Sequence, residues 1–505
     1  MTEQAPILIL LFPFLTAIFV ALLGAKVPAA SWPLTIASLG ASICATLTTL
    51  IQVLENGTIR YYVGGWAPPF GIELRIDGLN ALVAVTVATV AFLGAIYSKD
   101  RVESETENKG PQYYALYLLL AAGLLGIVIT GDAFNLYVLL EIAALTSYAL
   151  LAMGNKRATL AAFKYLIMGT IGASFYLLGV GYLYIKTGSL NMVDIQEQLI
   201  ANGLQDSSTV QVAFIMITVG LWVKMAFFPL HAWLPNSYAF GPTTSSSIMA
   251  PLVTKVMIYV MVRMVLTVFG PVYAFEVLDW GNIVVWLAVI AILAGSIGAL
   301  AQKDLRKMLT FLIIAEVGYM VGGVWLVDET GMTGAIYHII SDAFMTLCVF
   351  LFAGIVFAKT GARDIYAVDG LFKKMPITMI GFIVGAFSLI GIPPTAGFFS
   401  KWYLIQGGIN SGNWEYVIAL LISSLVNAVL FFRIIEIAYF GKKPAEGHIH
   451  HHGDDHTKIS EAPITQLIPL LGTAAIILLI GIFNKDLVAV IQDFLEPFNL
   501  VAGIR

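Results

Sequence analysis

The chain has 505 residues, of which 59% are hydrophobic and only 11% charged, with a formal net charge of −4. Soluble domains carry about a quarter charged residues, so a water-soluble globular enzyme is excluded, and no nucleic-acid partner is expected. Its two cysteines, Cys44 and Cys348, both lie in apolar runs and read as helix-packing residues rather than a disulfide or a metal pair.

Apolar runs long enough to cross a hydrocarbon core of about 30 Å recur from end to end. They predict an all-α polytopic membrane protein of about 14 transmembrane helices, near 5–25, 32–54, 77–98, 112–130, 132–153, 160–186, 208–230, 241–269, 279–301, 305–326, 330–358, 376–405, 413–440 and 464–484. The first run lacks a basic flank and leads directly into further spans, so it reads as helix one and not as a cleaved signal. The fourth and fifth spans meet at Gly131-Asp132, which suggests a tight helical hairpin, and the remaining loops are short. Lys and Arg concentrate in the alternate loops that hold Lys99, Lys156, Arg157, Lys303, Arg306, Lys307, Lys373 and Lys374. The positive-inside rule then places both termini outside the cytoplasm. Pro229 closes the seventh span, and Gly391-Ile392-Pro393-Pro394 interrupts the twelfth. Backbone can break within a bilayer only where protein or a wet cavity satisfies it, and in transporters such breaks point to the ion site.

Ionisable residues inside the spans form two series. Glu141, Lys164, Lys224 and Lys255 are separated by 23, 60 and 31 residues; Glu316, His338, Lys401 and Arg433 by 22, 63 and 32. Matching ladders imply duplicated five-helix units, helices four to eight (112–269) and nine to thirteen (279–440). They are preceded by a three-helix segment (1–111) and followed by a loop (441–463) and a last helix with its tail (464–505). Because five is odd, the two units sit in opposite orientations, the inverted-repeat plan of many transporters. One mismatch remains: Pro229 follows Lys224, whereas Pro393 and Pro394 precede Lys401.

These residue types suit proton movement. Desolvation makes an amine surrender its proton, and a carboxylate brought alongside restores it, so the partner acts as a switch. Glu141 is the natural partner of Lys224; Glu316 and Lys401 can pair in the same way, with His338 between them as a group that titrates near neutrality. Simpler readings stand beside these. Lys164 and Arg433 can snorkel from near the span ends. Asp342, one turn after His338, can hydrogen-bond that ring, Asp132 caps the fifth helix, and Thr243, Thr244, Ser245, Ser246 and Ser247 read as ordinary capping of the eighth. The tract from Gly447 to His456 holds five histidines; without a scaffold it reads as a solvated loop and no metal site is assigned to it. No nucleotide loop, cluster-binding cysteine set or haem ligand pattern is present, so no cofactor is expected in this chain.

At these residues the sequence resembles the antiporter-like membrane subunits shared by respiratory complex I, Mrp-type sodium/proton antiporters and membrane-bound hydrogenases. The likeness runs through essentially the whole chain. It is carried by GDAFNLYVLLEIAALTSYALLA around Glu141, FKYLIMGTIGASFYLLG from Phe163, VKMAFFPLHAWLPNSYAFGPTTSSS around Lys224, QKDLRKMLTFLIIAEVGYM from Gln302 and GIPPTAGFFSKWYLI around Lys401. It implies a first half-channel at Glu141 and Lys224, a link at Lys255, a terminal residue at Lys401, and a core motif that includes His231 and Trp233. It also implies other membrane subunits, lipid, protons and Na+ or K+ as partners, in the cytoplasmic (inner) membrane of a bacterium or archaeon. The sequence departs from the family at Tyr238, Ser341 and Thr346, where relatives commonly carry His, His and Lys, and at Glu316, where His or Gln is more usual. Lacking a long C-terminal extension, the chain resembles the D-type Mrp subunit before the N- and M-type subunits of complex I. A redox-driven pump module and a non-conducting scaffold are the alternatives.

Overall fold

The computed structural model describes residues 3–24, 26–278, 280–441, 460–498 and 500; the histidine tract lies outside them. Among the described residues, 13 helices are long and apolar enough to cross a membrane. The expected twelfth span supplies two shorter helices instead, Pro376–Ile390 and Ala396–Asn410. Helices thus stand at all 14 expected places.

The eighth span (Thr243–Val268) and the eleventh (Glu329–Thr360) are buried along the whole of their most apolar window, and the tenth (Leu305–Trp325) nearly so. The first, second, sixth and thirteenth spans turn much of their apolar surface outward. A core that is hydrophobic all round a helix marks a bundle interior, so a charge midway along the eighth, tenth or eleventh span is sealed from lipid. Ion pairs and caps fix both ends of the eighth span. At its start Glu105 accepts from the Thr244 N–H at 3.1 Å and its hydroxyl at 3.2 Å, and also from the Thr243 hydroxyl. A carboxylate there offsets the positive end of the helix dipole. Ser245 and Ser246 donate to the carbonyls of Leu150 and Tyr238; no side chain of this helix caps its own N-terminus, so these hydroxyls tie the span to its neighbours instead of capping it as expected. At the far end the Arg263 guanidinium bonds Asp77, itself the N-cap of the third span (Gly78–Ser98). Asp132 caps the fifth span (Ala133–Ala152), accepting from the N–H groups of Phe134 and Asn135.

Three features differ from the sequence reading. The second and third spans are joined by an antiparallel hairpin, Ile59–Tyr62 paired with Glu73–Ile76, so the chain is not purely helical. Exposed residues alternate with partly buried ones along the first strand, the pattern of a sheet with one covered face. The second difference is an amphipathic helix, Asn484–Leu495, after the last span, burying Val488, Ile491 and Leu495. Third, the seventh helix stops at Met225, four residues before Pro229. Ala226 turns left-handed at φ 60° and the Phe227 N–H bonds the Trp222 carbonyl at 2.9 Å.

The twelfth span breaks in the same manner. Gly391 is left-handed at φ 95°, and the N–H groups of Gly391 and Ile392 both reach the Phe387 carbonyl at 2.9 Å. Each five-helix unit therefore has its fourth member ended by a left-handed residue whose successor caps a carbonyl of the last turn. The two halves of the twelfth span then pack so closely that a Cβ on Gly397 would lie 1.9 Å from the Ser388 carbonyl oxygen. Gly397→Ala is accordingly expected to cost about 1–3 kcal/mol by overpacking, seen as a lower unfolding temperature of the purified complex.

Candidate proton-transfer site

The first cluster forms where the fifth, sixth and seventh spans meet. Lys224 lies in the last turn of Ser208–Met225, buried, with its Nζ 3.5 Å from Glu141 Oε1. Glu141 keeps 27% of its side chain exposed, so this pair borders the outside of the chain. Trp233 explains why the motif after the break holds Lys224 in place. Its indole N–H donates to the Val223 carbonyl at 3.0 Å, capping the open end of the helix that carries the lysine. The ring stacks on Tyr165 of the sixth span (Lys156–Thr187) at 3.9 Å, nearly parallel. His231 stacks on Phe228 at 5.1 Å and leaves Nδ1 without a hydrogen-bond partner among the described residues; Pro229 beside it is exposed. Tyr238 is buried and donates to the Met249 carbonyl at 3.2 Å, a packing contact.

The second cluster is central. Lys255, midway along the eighth span, has its Nζ 2.8 Å from Asp342 Oδ2 of the eleventh. It also donates to Thr346 Oγ1 at 3.2 Å and to the Ala250 carbonyl at 3.3 Å. Thr346 in turn donates to Asp342 Oδ1 at 2.8 Å. Glu316, from the tenth span, is 1% exposed, and its Oε1 has no hydrogen-bond partner among the described residues. Lys255 belongs to the first unit, and Asp342 and Glu316 to the second, so this is the joint between the two.

Lys401 makes a different kind of contact. It stands after the break, and its side chain runs back so that Nζ donates to Leu389 O at 2.6 Å, Ile390 O at 3.4 Å and Ser424 Oγ at 3.2 Å. Those carbonyls end Pro376–Ile390, the negative pole of that half-helix. Asn427 Nδ2 shares Leu389 O at 2.9 Å. In the first unit a tryptophan caps the helix end and the lysine takes a carboxylate; in the second the lysine caps the helix end itself. Pro393 and Pro394 are exposed in the linker that allows this. His338 is wholly buried, its Nδ1 2.8 Å from Ser400 Oγ and its ring edge-on to Tyr319 at 5.6 Å.

Two rungs of the ladders leave the interior. Lys164 is exposed on the outward face of the sixth span, and Arg433 is exposed on the thirteenth (Trp414–Phe440), bonded to the Tyr366 hydroxyl at 3.3 Å. Asp342 also departs from its expected role, because Ser400 takes the His338 ring and Asp342 turns to Lys255. The signal was present: a carboxylate deep in an apolar run needs a cation, and Lys255 was the buried cation without an assigned carboxylate.

The transmembrane domain model of the NADH:quinone oxidoreductase and Mrp antiporter family matches residues 130–427, which span both clusters. The chain belongs to this family. It is 41% identical to the N-type NADH-quinone oxidoreductase subunit of Desulforudis audaxviator (strain MP104C), over 99% of this chain and 100% of that one. It is 32% identical to the D-type Na(+)/H(+) antiporter subunit of Bacillus subtilis (strain 168), over 78% of this chain and 79% of that one. Among solved structures, a chain of the membrane-bound sulfane sulfur reductase, an archaeal respiratory membrane complex, superposes with a TM-score of 0.87 at 30% identity. That match covers 99% of this chain and 98% of the other.

Proposed function

We propose that the chain is a proton-translocating subunit of a multi-subunit cation/proton antiporter, with protons passing along Glu141, Lys224, Lys255, His338, Glu316 and Lys401. The observation that carries this reading is the pair of buried lysine–carboxylate contacts, Lys224 with Glu141 and Lys255 with Asp342, flanked by two broken helices. An ammonium in such a site keeps its proton while the carboxylate is close and gives it up when the carboxylate takes another partner. Lys164 supports an arrangement with further membrane subunits, since a charge turned to hydrocarbon costs about 2.5–3.5 kcal/mol or more. Arg433, reaching a loop tyrosine, serves at the rim of the second unit. Both termini lie outside the cytoplasm in this reading, opposite the loops that carry Lys99, Lys156, Arg157, Lys373 and Lys374.

A redox-driven complex is the second reading, favoured by the full-length 41% identity to an N-type subunit of a NADH-quinone oxidoreductase. The residues and path are the same; only the driving reaction differs, and it belongs to other subunits. Copurification in mild detergent followed by proton-flux measurement in vesicles decides between them. Iron–sulfur or hydrogenase-like proteins, with flux that needs a reductant, would establish the redox pump. Small hydrophobic subunits with one larger paralogue, and flux that needs a cation gradient, would establish the antiporter. A complex that moves protons under neither condition would make the chain a scaffold.

A further inference from the structure

On the side of the chain where Lys and Arg concentrate, a cavity of about 400 Å3 opens between the two five-helix units. It is lined by Asn155, Lys156 and Arg157 at the head of the sixth span, Phe240 of the short helix Leu234–Phe240, Asp304 at the head of the tenth span, and Arg363 in the loop after the eleventh. Its walls are fixed. The Leu305 N–H bonds the Arg363 carbonyl at 2.8 Å and the Ile365 N–H bonds the Lys303 carbonyl at 3.0 Å, which clamps the two loops of the second unit together. In the first unit Gly154 fits so closely that a Cβ there would come within 3.1 Å of the Pro242 ring. Such preformed hollows are where ligands bind.

Three cations and one carboxylate line the cavity, and the carboxylate is engaged: Asp304 Oδ1 accepts the Lys307 N–H at 3.0 Å. Among the described residues, Lys156, Arg157 and Arg363 form no ion pair. A fourth cation stands beside them. Arg306 and Arg363 both donate to the Ala239 carbonyl and both lie over the Phe357 ring, at 5.9 and 5.0 Å. Arg306 is 3% exposed, and its Nε has no hydrogen-bond partner among the described residues. Two guanidinium groups gathered on one oxygen repel, and a phosphate relieves that repulsion because its oxygens match their forked donors. The N–H groups of Arg157 and Ala158 are already taken by Asn155 Oδ1, so the attraction comes from side-chain charge and not from an open helix end.

We propose that this cavity holds the phosphate headgroup of an anionic phospholipid, which bridges the two units on their basic side. The apolar stripe leading away from it points to a lipid. Leu160, Phe163, Ile167 and Ile171 are exposed at steps of three or four residues below Arg157, with Lys164 on the same face. From Arg157 to Ile171 the helix rises about 21 Å, enough to line the ~15 Å of one leaflet. Basic pockets between spans are suited to such headgroups. This site does not depend on which ion the complex moves or on what drives it.

The test is a titration of the intact complex, washed of lipid in detergent, with phosphatidylglycerol, phosphatidylcholine or inorganic phosphate while its unfolding temperature is followed. Wild type is compared with Lys156→Gln/Arg157→Gln and with Lys373→Gln/Lys374→Gln, a pair of exposed lysines on the same side but outside the cavity. Phosphatidylglycerol should raise the unfolding temperature of wild type and of the Lys373/Lys374 variant alike. In Lys156→Gln/Arg157→Gln the midpoint of that rise should move to a concentration roughly tenfold higher or more, the loss expected of one charge-assisted contact. Both replaced side chains are exposed and the Asn155 cap stays intact, so this variant should assemble. Arg363→Gln cuts the cavity from its other wall and should shift the midpoint the same way. An unchanged midpoint in both cavity variants would overturn the site. An equal rise with phosphatidylcholine would overturn the role of charge, and an equal rise with inorganic phosphate alone would overturn the lipid and leave a small-anion site.

Discussion

Lys224→Ala is expected to bring proton flux in vesicles down to the background of empty membranes while the complex still copurifies with its full set of subunits. Among the described residues Lys224 hydrogen-bonds only Glu141 through its side chain, and the helix end beside it is held by Trp233, not by the lysine. Truncation therefore removes the amine without releasing the break. Glu141 loses its partner at the border of the chain and not in its sealed interior, so assembly survives; a fully buried carboxylate would not be so forgiving. Glu141→Gln should act on the same step from the other side, lowering flux at least tenfold or moving its pH dependence. Near-normal flux in Lys224→Ala, or an unchanged pH profile in Glu141→Gln, would count against the pairing.

How far the site could be read from sequence depended on whether the signal was one-dimensional. Spans, breaks and the Glu141–Lys224 pair were legible because apolar length, glycine and proline, and charge within an apolar run are local properties. The equal spacing of the two ladders was legible too, but spacing along a chain does not say which way a side chain points. One residue turns a helical side chain by about 100°, so ladders matched to within a few residues still left Lys164 and Arg433 on the outer face. Asp342 was misjudged for a related reason. Its near neighbour on the same helix face, His338, looked like the partner, whereas the partner came from another unit 87 residues earlier in the chain, Lys255. The hairpin of Ile59–Tyr62 and Glu73–Ile76 was hidden by its brevity: four residues per strand leave little alternation to detect.

The Lys255–Asp342 pair should dominate the stability of the joint. Removing one partner of a buried ion pair strands the other charge and costs about 3–5 kcal/mol, whereas replacing both by apolar groups of similar volume is often neutral or stabilising. Lys255→Met alone leaves the wholly buried Asp342 carboxylate without its ion-pair partner, and should lower the unfolding temperature of the complex measurably in detergent. The double variant Lys255→Met/Asp342→Leu should recover most of that loss, because the wholly buried eighth and eleventh spans accept apolar side chains without exposing anything to water. It should nevertheless move no protons, since the contact between the units is then dry. Recovery of stability without recovery of flux would separate the two roles of the pair, structural and conductive. If the double variant were instead as unstable as the single, the cost would lie in shape at the joint rather than in charge.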